Sequence, residues 1–277
     1  MGGKYYHRTD KPKKERMKYL LNEWTSIKDK IGVNKIFLFL DYDGTLTEIV
    51  DHPDLANISK DLELSLKEMS RNPRFKIAII SGRALSDIRE KVGIKDIIYS
   101  GNHGWEIEGP GIHYIPVAPS GYLDALPDIK RNLETGLQDF KGVFVEDKSL
   151  TLSIHYRLAA DKLVPQILQH IDNIMSGFLQ TGNISLRKGK KTLEVIPSIV
   201  WNKGCAVKWI LNNPVVSCEN CVPIYIGDDV TDEDAFAELE SKGITILVGD
   251  RLDSKAAYNL NNVSEVSGFL RLLLTTL

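Results

Sequence analysis

The feature that most constrains the fold is a set of short apolar runs, each ending in polar residues and separated from the next by helical sequence. The first run, Lys35–Leu40, is rich in β-formers and too short for a typical helix, as expected for a strand buried on both faces of a parallel sheet. Similar runs recur at Ile77–Ile80, Ile97–Tyr99, Ile224–Ile226 and Ile244–Val248. Helical patterns lie between them at Leu62–Ser70, Leu85–Val92, Lys203–Leu211 and Glu233–Ser241. This alternation predicts a doubly wound, Rossmann-like α/β fold with a parallel sheet.

The middle of the chain departs from this alternation. After a turn at Gly109–Gly111, residues 115–195 predict a helix, two strands, a second helix and a strand. We therefore predict an inserted α+β cap over 115–195 and a core formed by 33–114 and 196–277. An N-terminal basic and helical extension is expected over 1–32. Its helix is predicted around Tyr19, Leu20, Trp24 and Ile27.

Charge and composition exclude several classes of protein. The 35 basic and 37 acidic residues give a net charge of −2, so there is no basic excess for general binding to nucleic acid or acidic lipid. No apolar run approaches the roughly 18 residues of a membrane helix, and no apolar signal core is recognised. We expect a cytoplasmic monomer that binds a small molecule. The three cysteines suit a reducing compartment, and the Cys218/Cys221 pair leaves a zinc or redox role open.

Polar side chains follow four of the apolar runs, at the carboxyl ends where ligands bind in open α/β sheets. These segments are Asp41–Thr45, Ser81–Arg83, Ser100–Gly104 and Gly227–Asp234. Carboxylates gathered at one sheet edge repel one another unless a cation lies among them, and hard oxygen ligands suit Mg²⁺. Asp41 and Asp43 lie two residues apart on an extended segment. One carboxylate can therefore attack phosphorus while the other handles the proton of the leaving group.

Groups that could hold a phosphoryl group follow the other runs. Ser81 and Gly82 come after the second run, and Lys203 begins a helix, where backbone amides also favour anions. Each signal alone has a plain structural alternative: Ser81 could cap a helix, Lys203 could be a solvated surface charge, and Asp228 with Asp229 could cap the following helix. Their joint occurrence at successive strand ends favours a phosphoryl-transfer site.

These motifs resemble those of the haloacid dehalogenase superfamily of phosphatases. The resemblance rests on Asp41-x-Asp43-Gly44-Thr45, Ser81, Lys203 and Gly227-Asp228-Asp229, and it covers nearly the whole chain after residue 35. It implies that Asp41 is the nucleophile and Asp43 the general acid/base. It also implies that Ser81, Gly82 and Lys203 bind phosphate. A Mg²⁺ ion would be held by Asp41, the backbone carbonyl of Asp43 and Asp228, with Asp229 and Asp232 as supporting acids.

A second set of motifs resembles trehalose-6-phosphate phosphatases specifically. These are Ser81-Gly82-Arg83, Gly101-Asn102-His103-Gly104, Glu146-x-Lys148, Lys190-Lys191-x-Leu193-Glu194, Asn202-Lys203-Gly204 and Gly227–Phe236. The resemblance implies hydrolysis of trehalose 6-phosphate, the last step of trehalose biosynthesis. It further implies that the disaccharide contacts Asn102, His103, Glu146, Lys148 and Glu194, with Arg187 and Lys190 as further candidates. One departure is Ile196, where relatives often carry an arginine before the proline.

Alternatives remain open at this point. By spacing alone, the charges on the cap strands are equally consistent with a solvated strand edge. The substrate could be another sugar phosphate, such as sucrose 6-phosphate or mannosyl-3-phosphoglycerate. The chain could also be a catalytically idle regulatory or binding domain with the same fold, although every motif residue is present.

Overall fold

The structure is a computed structural model that describes residues 17–50 and 52–277. Its strands are β1 (Lys18–Tyr19), β2 (Lys35–Leu40), β3 (Phe75–Ile80), β4 (Ile98–Gly101), β5 (Glu106–Gly109), β6 (Ile112–Tyr114), β7 (Phe144–Asp147), β8 (Leu152–His155), β9 (Ile184–Gly189), β10 (Thr192–Pro197), β11 (Cys221–Gly227), β12 (Ile244–Val248) and β13 (Tyr258–Leu260). Its helices are α1 (Trp24–Ile31), α2 (Lys60–Arg71), α3 (Leu85–Val92), α4 (Tyr122–Leu137), α5 (Val164–Leu179), α6 (Lys203–Asn212), α7 (Glu233–Leu239) and α8 (Val263–Thr276).

The larger sheet has nine strands in the order β1-β13-β12-β11-β2-β3-β4-β5-β6. From β1 to β4 every neighbouring pair is parallel, and the β5–β6 hairpin continues the sheet in antiparallel fashion. Strand β2 lies between β11 and β3, so the ends of these three strands are neighbours at one sheet edge. The predicted α/β fold with a parallel sheet is confirmed.

Both faces of the large sheet are buried, because successive side chains of a strand point to opposite sides. In β2, Ile36, Leu38 and Leu40 belong to one apolar core, whereas Phe37 and Phe39 belong to another. Helices α2 and α8 cover the first core, and α6 and α7 cover the second. A strand that is covered on both sides has no solvent-exposed face for polar side chains, which explains why its sequence is a continuous apolar run.

The smaller sheet has four antiparallel strands in the order β7-β8-β10-β9 and comes from the chain between β6 and α6. Helices α4 and α5 pack with it around a third apolar core. Side chains of its other face, including Glu146, Ser153 and Glu194, line a cavity against the larger sheet. The segment ends in two strands, β9 and β10, where the sequence pattern predicted one, because the Lys190-Lys191 turn divides them.

The N-terminal part differs from its predicted form. Tyr19, expected on a helix, lies in β1 and pairs with Asn259 at the sheet edge. Leu20–Glu23 forms a 3₁₀ turn, and only Trp24–Ile31 is α-helical. Leu20 and Ile27 are buried in the first core, which is the packing that their spacing indicated. The basic residues of the lead-in, up to position 16, lie outside the described residues.

The structure joins Cys218 and Cys221 as a disulfide, whereas a reducing compartment predicts free thiols. The turn before β11, with Asn220 at φ +55°, brings the two Cα atoms to 5.5 Å, within the range that a disulfide spans. Cys205 on α6 is free. Among the helices of residues 17–50 and 52–277, none combines the length and the apolar character that crossing a membrane requires.

Candidate active site

A cavity of about 200 Å³ opens where the carboxyl ends of β11, β2 and β3 face the smaller sheet. Most of the predicted site residues line it: Asp41, Asp43, Gly82, His103, Glu146, Lys148, Arg187, Lys190, Glu194, Lys203, Asp228 and Asp229. Two predicted residues, Ser81 and Asn102, are not part of the lining that the described residues form. The structure therefore gathers the motifs of distant chain segments around one space.

Lys203 lies at the centre of the acidic group. It is the first residue of α6, whose N-terminus is capped by Asn202 through a 2.9 Å bond from the backbone N–H of Cys205. Its Nζ lies 2.7 Å from Asp41 Oδ1 and 2.7 Å from Asp232 Oδ1, and the side chain is only 2% exposed. Burial opposes the charge on Lys203, but Asp232 and Asp41 outweigh it and raise its pKa. Lys203 is thus a buried, charged ammonium and not a solvated surface lysine.

Asp232 organises the loop after β11. Its Oδ1 accepts from Tyr225 at 2.7 Å as well as from Lys203, and its Oδ2 accepts the backbone N–H groups of Asp228 at 3.0 Å and Asp229 at 2.9 Å. The residue is fully buried. Four donors therefore share the two oxygens of this carboxylate, and two of them are backbone N–H groups that it holds in place after β11. The family resemblance of the motifs implies only a supporting role for Asp232.

Three carboxylates, those of Asp41, Asp228 and Asp232, have oxygens within 4.8 Å of one another. Burial raises the pKa of Asp41 against the pull of Lys203, and Asp232 and Asp228 raise it further. Burial also raises the pKa of Asp228, although Lys190 opposes it. These acids are costly to ionise together, and a bound cation would remove that cost.

Gly44 allows this close approach. Its φ of +82° suits glycine, and an added Cβ would lie 2.3 Å from Asp228 Oδ2, where no side chain fits. An all-oxygen group of acids pressed against a glycine fits a hard divalent cation such as Mg²⁺. Asp229 lies outside the group of three acids, and its carboxylate is 3.7 Å from Lys190 Nζ. Of the predicted metal residues in the described chain, Asp41 and Asp228 are the two whose carboxylates share this space.

Arg83 binds Asp43 with two parallel hydrogen bonds. Its Nε and Nη2 each lie 2.7 Å from a different oxygen of Asp43, and its Nη1 lies 2.8 Å from Asp87. The Arg83 side chain is 8% exposed, whereas that of Asp43 is 43% exposed. Burial opposes the charge, but Asp43 and Asp87 raise the pKa of Arg83 above its ordinary value. Both oxygens of Asp43 are thus held by one guanidinium at the edge of the cavity.

Glu194 is surrounded by donors from both sheets. Its Oε1 lies 2.9 Å from His103 Nε2, 3.5 Å from Lys148 Nζ and 3.4 Å from Ser153 Oγ. Its Oε2 accepts both Nε and Nη2 of Arg187, which is its register partner on β9. Burial alone would raise the pKa of Glu194, but His103, Lys148 and Arg187 hold it well below its usual range. Glu194 is therefore a buried carboxylate whose two oxygens are already satisfied.

The predicted phosphate and sugar residues occupy different depths. Ser81 is fully buried behind the cavity, and its Oγ accepts the backbone N–H of Arg83 at 3.2 Å, a local turn contact. Asn102 is 1% exposed and is bonded to Glu106, to Thr151 Oγ1 and to the backbone carbonyl of Lys148. These contacts tie the smaller sheet to the larger one.

Glu146 faces the cavity more openly. Its Oε2 lies 2.7 Å from His155 Nε2, and about 30% of its side chain is exposed. Lys148 donates at 2.8 Å to the carbonyl of Gly82, which lies in the loop after β3 of the larger sheet.

Three residues have larger roles in the site than the sequence motifs indicate. The Arg83 contact with Asp43 joins residues 40 apart, and the motif Ser81-Gly82-Arg83 was the only signal of it. Asp232 could have been recognised as the acid that closes the turn after β11. His155 lies within the predicted cap, but nothing in its spacing indicates Glu146 as its partner.

Comparisons with known proteins agree on one family. The family model described as trehalose-phosphatase matches residues 39–264. A rice protein, "Probable trehalose-phosphate phosphatase 4" from Oryza sativa subsp. japonica, is 34% identical over 257 residues, covering 90% of this chain and 69% of the rice protein. "Trehalose-phosphate phosphatase B" from Arabidopsis thaliana is 33% identical over 268 residues, covering 91% of this chain and 70% of the plant protein.

A solved structure shows the same architecture. The C-terminal domain of the trehalose-6-phosphate phosphatase of C. albicans has a TM-score of 0.76 to this structure at 26% identity. The match covers 94% of this chain and 99% of the solved one, so it includes both sheets.

Proposed function

Since the chain belongs to the trehalose-phosphatase family of phosphoric monoester hydrolases, within the haloacid dehalogenase superfamily, we propose that its cavity hydrolyses trehalose 6-phosphate through a phosphoaspartate on Asp41. The observation that carries this proposal is the buried contact of Asp41 with Lys203 beside Asp228, in a cavity that the smaller sheet covers. A nucleophile, a fixed cation and a candidate metal position thus share one space with room for a phosphate ester.

The reaction begins with attack of one Asp41 oxygen on phosphorus. The phosphorus–oxygen bond to the sugar breaks, and the leaving oxygen takes a proton from the carboxyl group of Asp43. In the second half, Asp43 accepts a proton from water as the water oxygen attacks phosphorus, and the bond to Asp41 breaks to release inorganic phosphate. Lys203 neutralises charge on the phosphoryl oxygens throughout, and the backbone of Gly82 borders the same space.

Asp43 must move to perform this role. Both of its oxygens are bonded to Arg83, and a carboxylate held in this way presents no proton to a leaving group. Rotation of the exposed Asp43 side chain away from Arg83 would aim the carboxyl group at the phosphoryl position. Proton transfer in this enzyme therefore includes a change of hydrogen-bonding partner.

A magnesium ion fits the acids at the end of β11. Asp41 and Asp228 would hold it together with the backbone carbonyl of Asp43, while Asp229 and Asp232 support the loop. When bound, Mg²⁺ keeps these acids ionised and neutralises charge on the phosphoryl group. Lys203, which is also bonded to Asp232, holds Asp41 Oδ1 in place.

Selection of the sugar belongs to the smaller sheet. We assign residues 33–114 and 196–277 to the catalytic core and 115–195 to the cap, which contributes Glu146, Lys148 and Glu194 to the cavity. His103 completes the group from the core side, in contact with Glu194. Paired carboxylates and a lysine on one face are groups that hydrogen-bond sugar hydroxyls. In a cell, this activity would complete trehalose synthesis in the cytoplasm.

Kinetics on the purified chain test the proposal. With Mg²⁺ present, trehalose 6-phosphate should be hydrolysed with a higher kcat/KM than sucrose 6-phosphate, mannosyl-3-phosphoglycerate or glucose 6-phosphate. Asp41→Asn should lower kcat at least about a thousandfold, because no nucleophile remains. The matched control Asp29→Asn, on the exposed face of α1, should behave like the wild type. Chelation of Mg²⁺ should abolish turnover.

Three results would contradict different parts of the proposal. Equal rates across the sugar panel would remove the substrate assignment. Substantial turnover by Asp41→Asn would remove the phosphoaspartate. Absence of phosphate release from every ester would leave a binding or regulatory domain as the function.

A further inference from the structure

A continuous row of side chains connects a loop of the large-sheet domain to Glu146, which lines the cavity. The ring of His52 stacks on Phe144 with centroids 5.7 Å apart, and Phe144 stacks on His155 at 4.5 Å with an interplanar angle of 9°. His155 Nε2 then lies 2.7 Å from Glu146 Oε2. Phe144, Glu146 and His155 all line the cavity, and His52 belongs to the loop after β2.

Strand register explains this arrangement. Phe144 on β7 lies directly opposite His155 on β8, so their rings meet face to face. Glu146 is two residues beyond Phe144 and points to the same side of the sheet, within reach of His155 along the diagonal. The stack restrains the imidazole plane, because one of its faces is covered by the Phe144 ring.

The two cavity carboxylates of the cap differ in their unused bonding capacity. Both oxygens of Glu194 accept hydrogen bonds from its neighbours. Glu146 has one engaged oxygen, and within residues 17–50 and 52–277 its Oε1 has no hydrogen-bonding partner. Of these two acids, Glu146 is the one with a free acceptor for a sugar hydroxyl, and His155 determines which way that acceptor points.

We propose that His155 is a positioning residue for sugar recognition, acting through Glu146. Its hydrogen bond fixes one oxygen of Glu146 so that the other faces the substrate, and its stack on Phe144 and His52 extends this restraint to the opposite domain. The inference deepens the proposed function and rests on its assignment of Glu146 as a sugar contact. A freely rotating carboxylate would bind the same hydroxyl at a larger entropic cost.

Substitutions at His155 separate the hydrogen bond from the stack. H155F keeps a ring against Phe144 and removes the donor, whereas H155Q keeps a donor near the position of Nε2 and removes the ring. We expect H155F to lower kcat/KM for trehalose 6-phosphate about tenfold, mainly through KM, because hydrogen bonds to charged groups have effects of this size. H155Q should recover most of that loss. The loss on p-nitrophenyl phosphate, which has no sugar, should be at least about fivefold smaller.

The matched control is His170, a cap histidine on α5 whose ring packs against Phe140 at 5.0 Å, away from the cavity lining. H170F should keep wild-type constants for both esters. Activity on p-nitrophenyl phosphate also reports that each variant is folded. If H155F does not fold, H155N serves in its place, since its shorter side chain removes the donor at Nε2.

A double-mutant cycle decides whether His155 acts through Glu146. In an E146A background, H155F should change kcat/KM by less than about twofold, because no carboxylate remains to be positioned. Additive losses, or equal losses by H155F and H155Q, would overturn the inference while leaving the proposed function intact. E146A with a wild-type KM would overturn the sugar contact and the role of His155 together. A wild type that does not prefer trehalose 6-phosphate is a separate result, and it refutes the substrate assignment.

Discussion

Lys190 should weaken the binding of Mg²⁺ to the substrate-free protein. It extends from the turn between β9 and β10, and its Nζ lies 2.7 Å from Asp228 Oδ2 and 3.7 Å from Asp229 Oδ1. Asp228 is a proposed ligand of the ion, so the ammonium group and the metal compete for the same carboxylate. Lys190→Met removes the competitor and keeps much of the apolar stem.

The size of the expected change in Mg²⁺ affinity follows from how exposed the Lys190–Asp228 ion pair is. The side chain of Lys190 is 49% exposed and that of Asp228 is 9% exposed, so water screens the interaction from one side. For a half-exposed ion pair we take the upper end of the interaction energies found for surface salt bridges, about 1 kcal/mol. This energy corresponds to a roughly fivefold decrease in the Kd for Mg²⁺.

Calorimetric titration of Mg²⁺ into substrate-free protein at fixed ionic strength measures this change. Lys191→Met is the matched control, because Lys191 is the next residue, is 47% exposed and pairs with Asp161 instead of the acidic group. It should leave the Kd unchanged. An unchanged or higher Kd in Lys190→Met, or an equal change in Lys191→Met, would refute the competition. The difference between the variants should also shrink as salt is added.

Two further predictions concern stability. Burial lowers the pKa of His103 to about 4, so between roughly pH 6.5 and pH 4 the unfolded chain binds a proton that the folded chain does not. The free energy of unfolding should therefore fall as pH falls through this window, by up to about 1.4 kcal/mol per pH unit from this group. The free energy measured by urea unfolding of His103→Asn should depend less steeply on pH than that of the wild type or of the exposed control His113→Asn. Asp232→Asn should cost about 3–5 kcal/mol, because Lys203 keeps only one carboxylate partner. In melts with chelator, a Tm within about 2 °C of wild type would contradict this, and exposed Asp124→Asn is the control.

The parts of the fold that could be predicted are those that depend on local sequence. A strand such as β2 is recognised from its own six residues, and the polar residue after it is placed at the sheet edge by the topology of parallel strands. The edge pairing of Tyr19 could not be predicted in this way, because β1 has two residues and its partner lies at position 259. A pattern that short carries no periodicity.

The site could be predicted as a collection of residues but not as a network. Asp41, Lys203 and Asp228 were recognised because each follows a strand or begins a helix, and such positions converge in this fold. The partners of Asp43 and Glu194 depend on which side chains meet across 40 and 91 residues of chain, and the sequence contains no local record of those distances. Sequence motifs therefore identify the charged residues of the site but not which cation pairs with which acid.

The position of β2 between β3 and β11 has a consequence for synthesis on the ribosome. One neighbour of β2 is made soon after it, but the other, Cys221–Gly227, emerges only when most of the chain has been translated. Until then one edge of β2 has free backbone groups beside the apolar side chains of residues 36–40, which is the kind of surface that pairs with other nascent chains. Exposure of this edge should accordingly fall once Cys221–Gly227 has left the exit tunnel and pairs with β2.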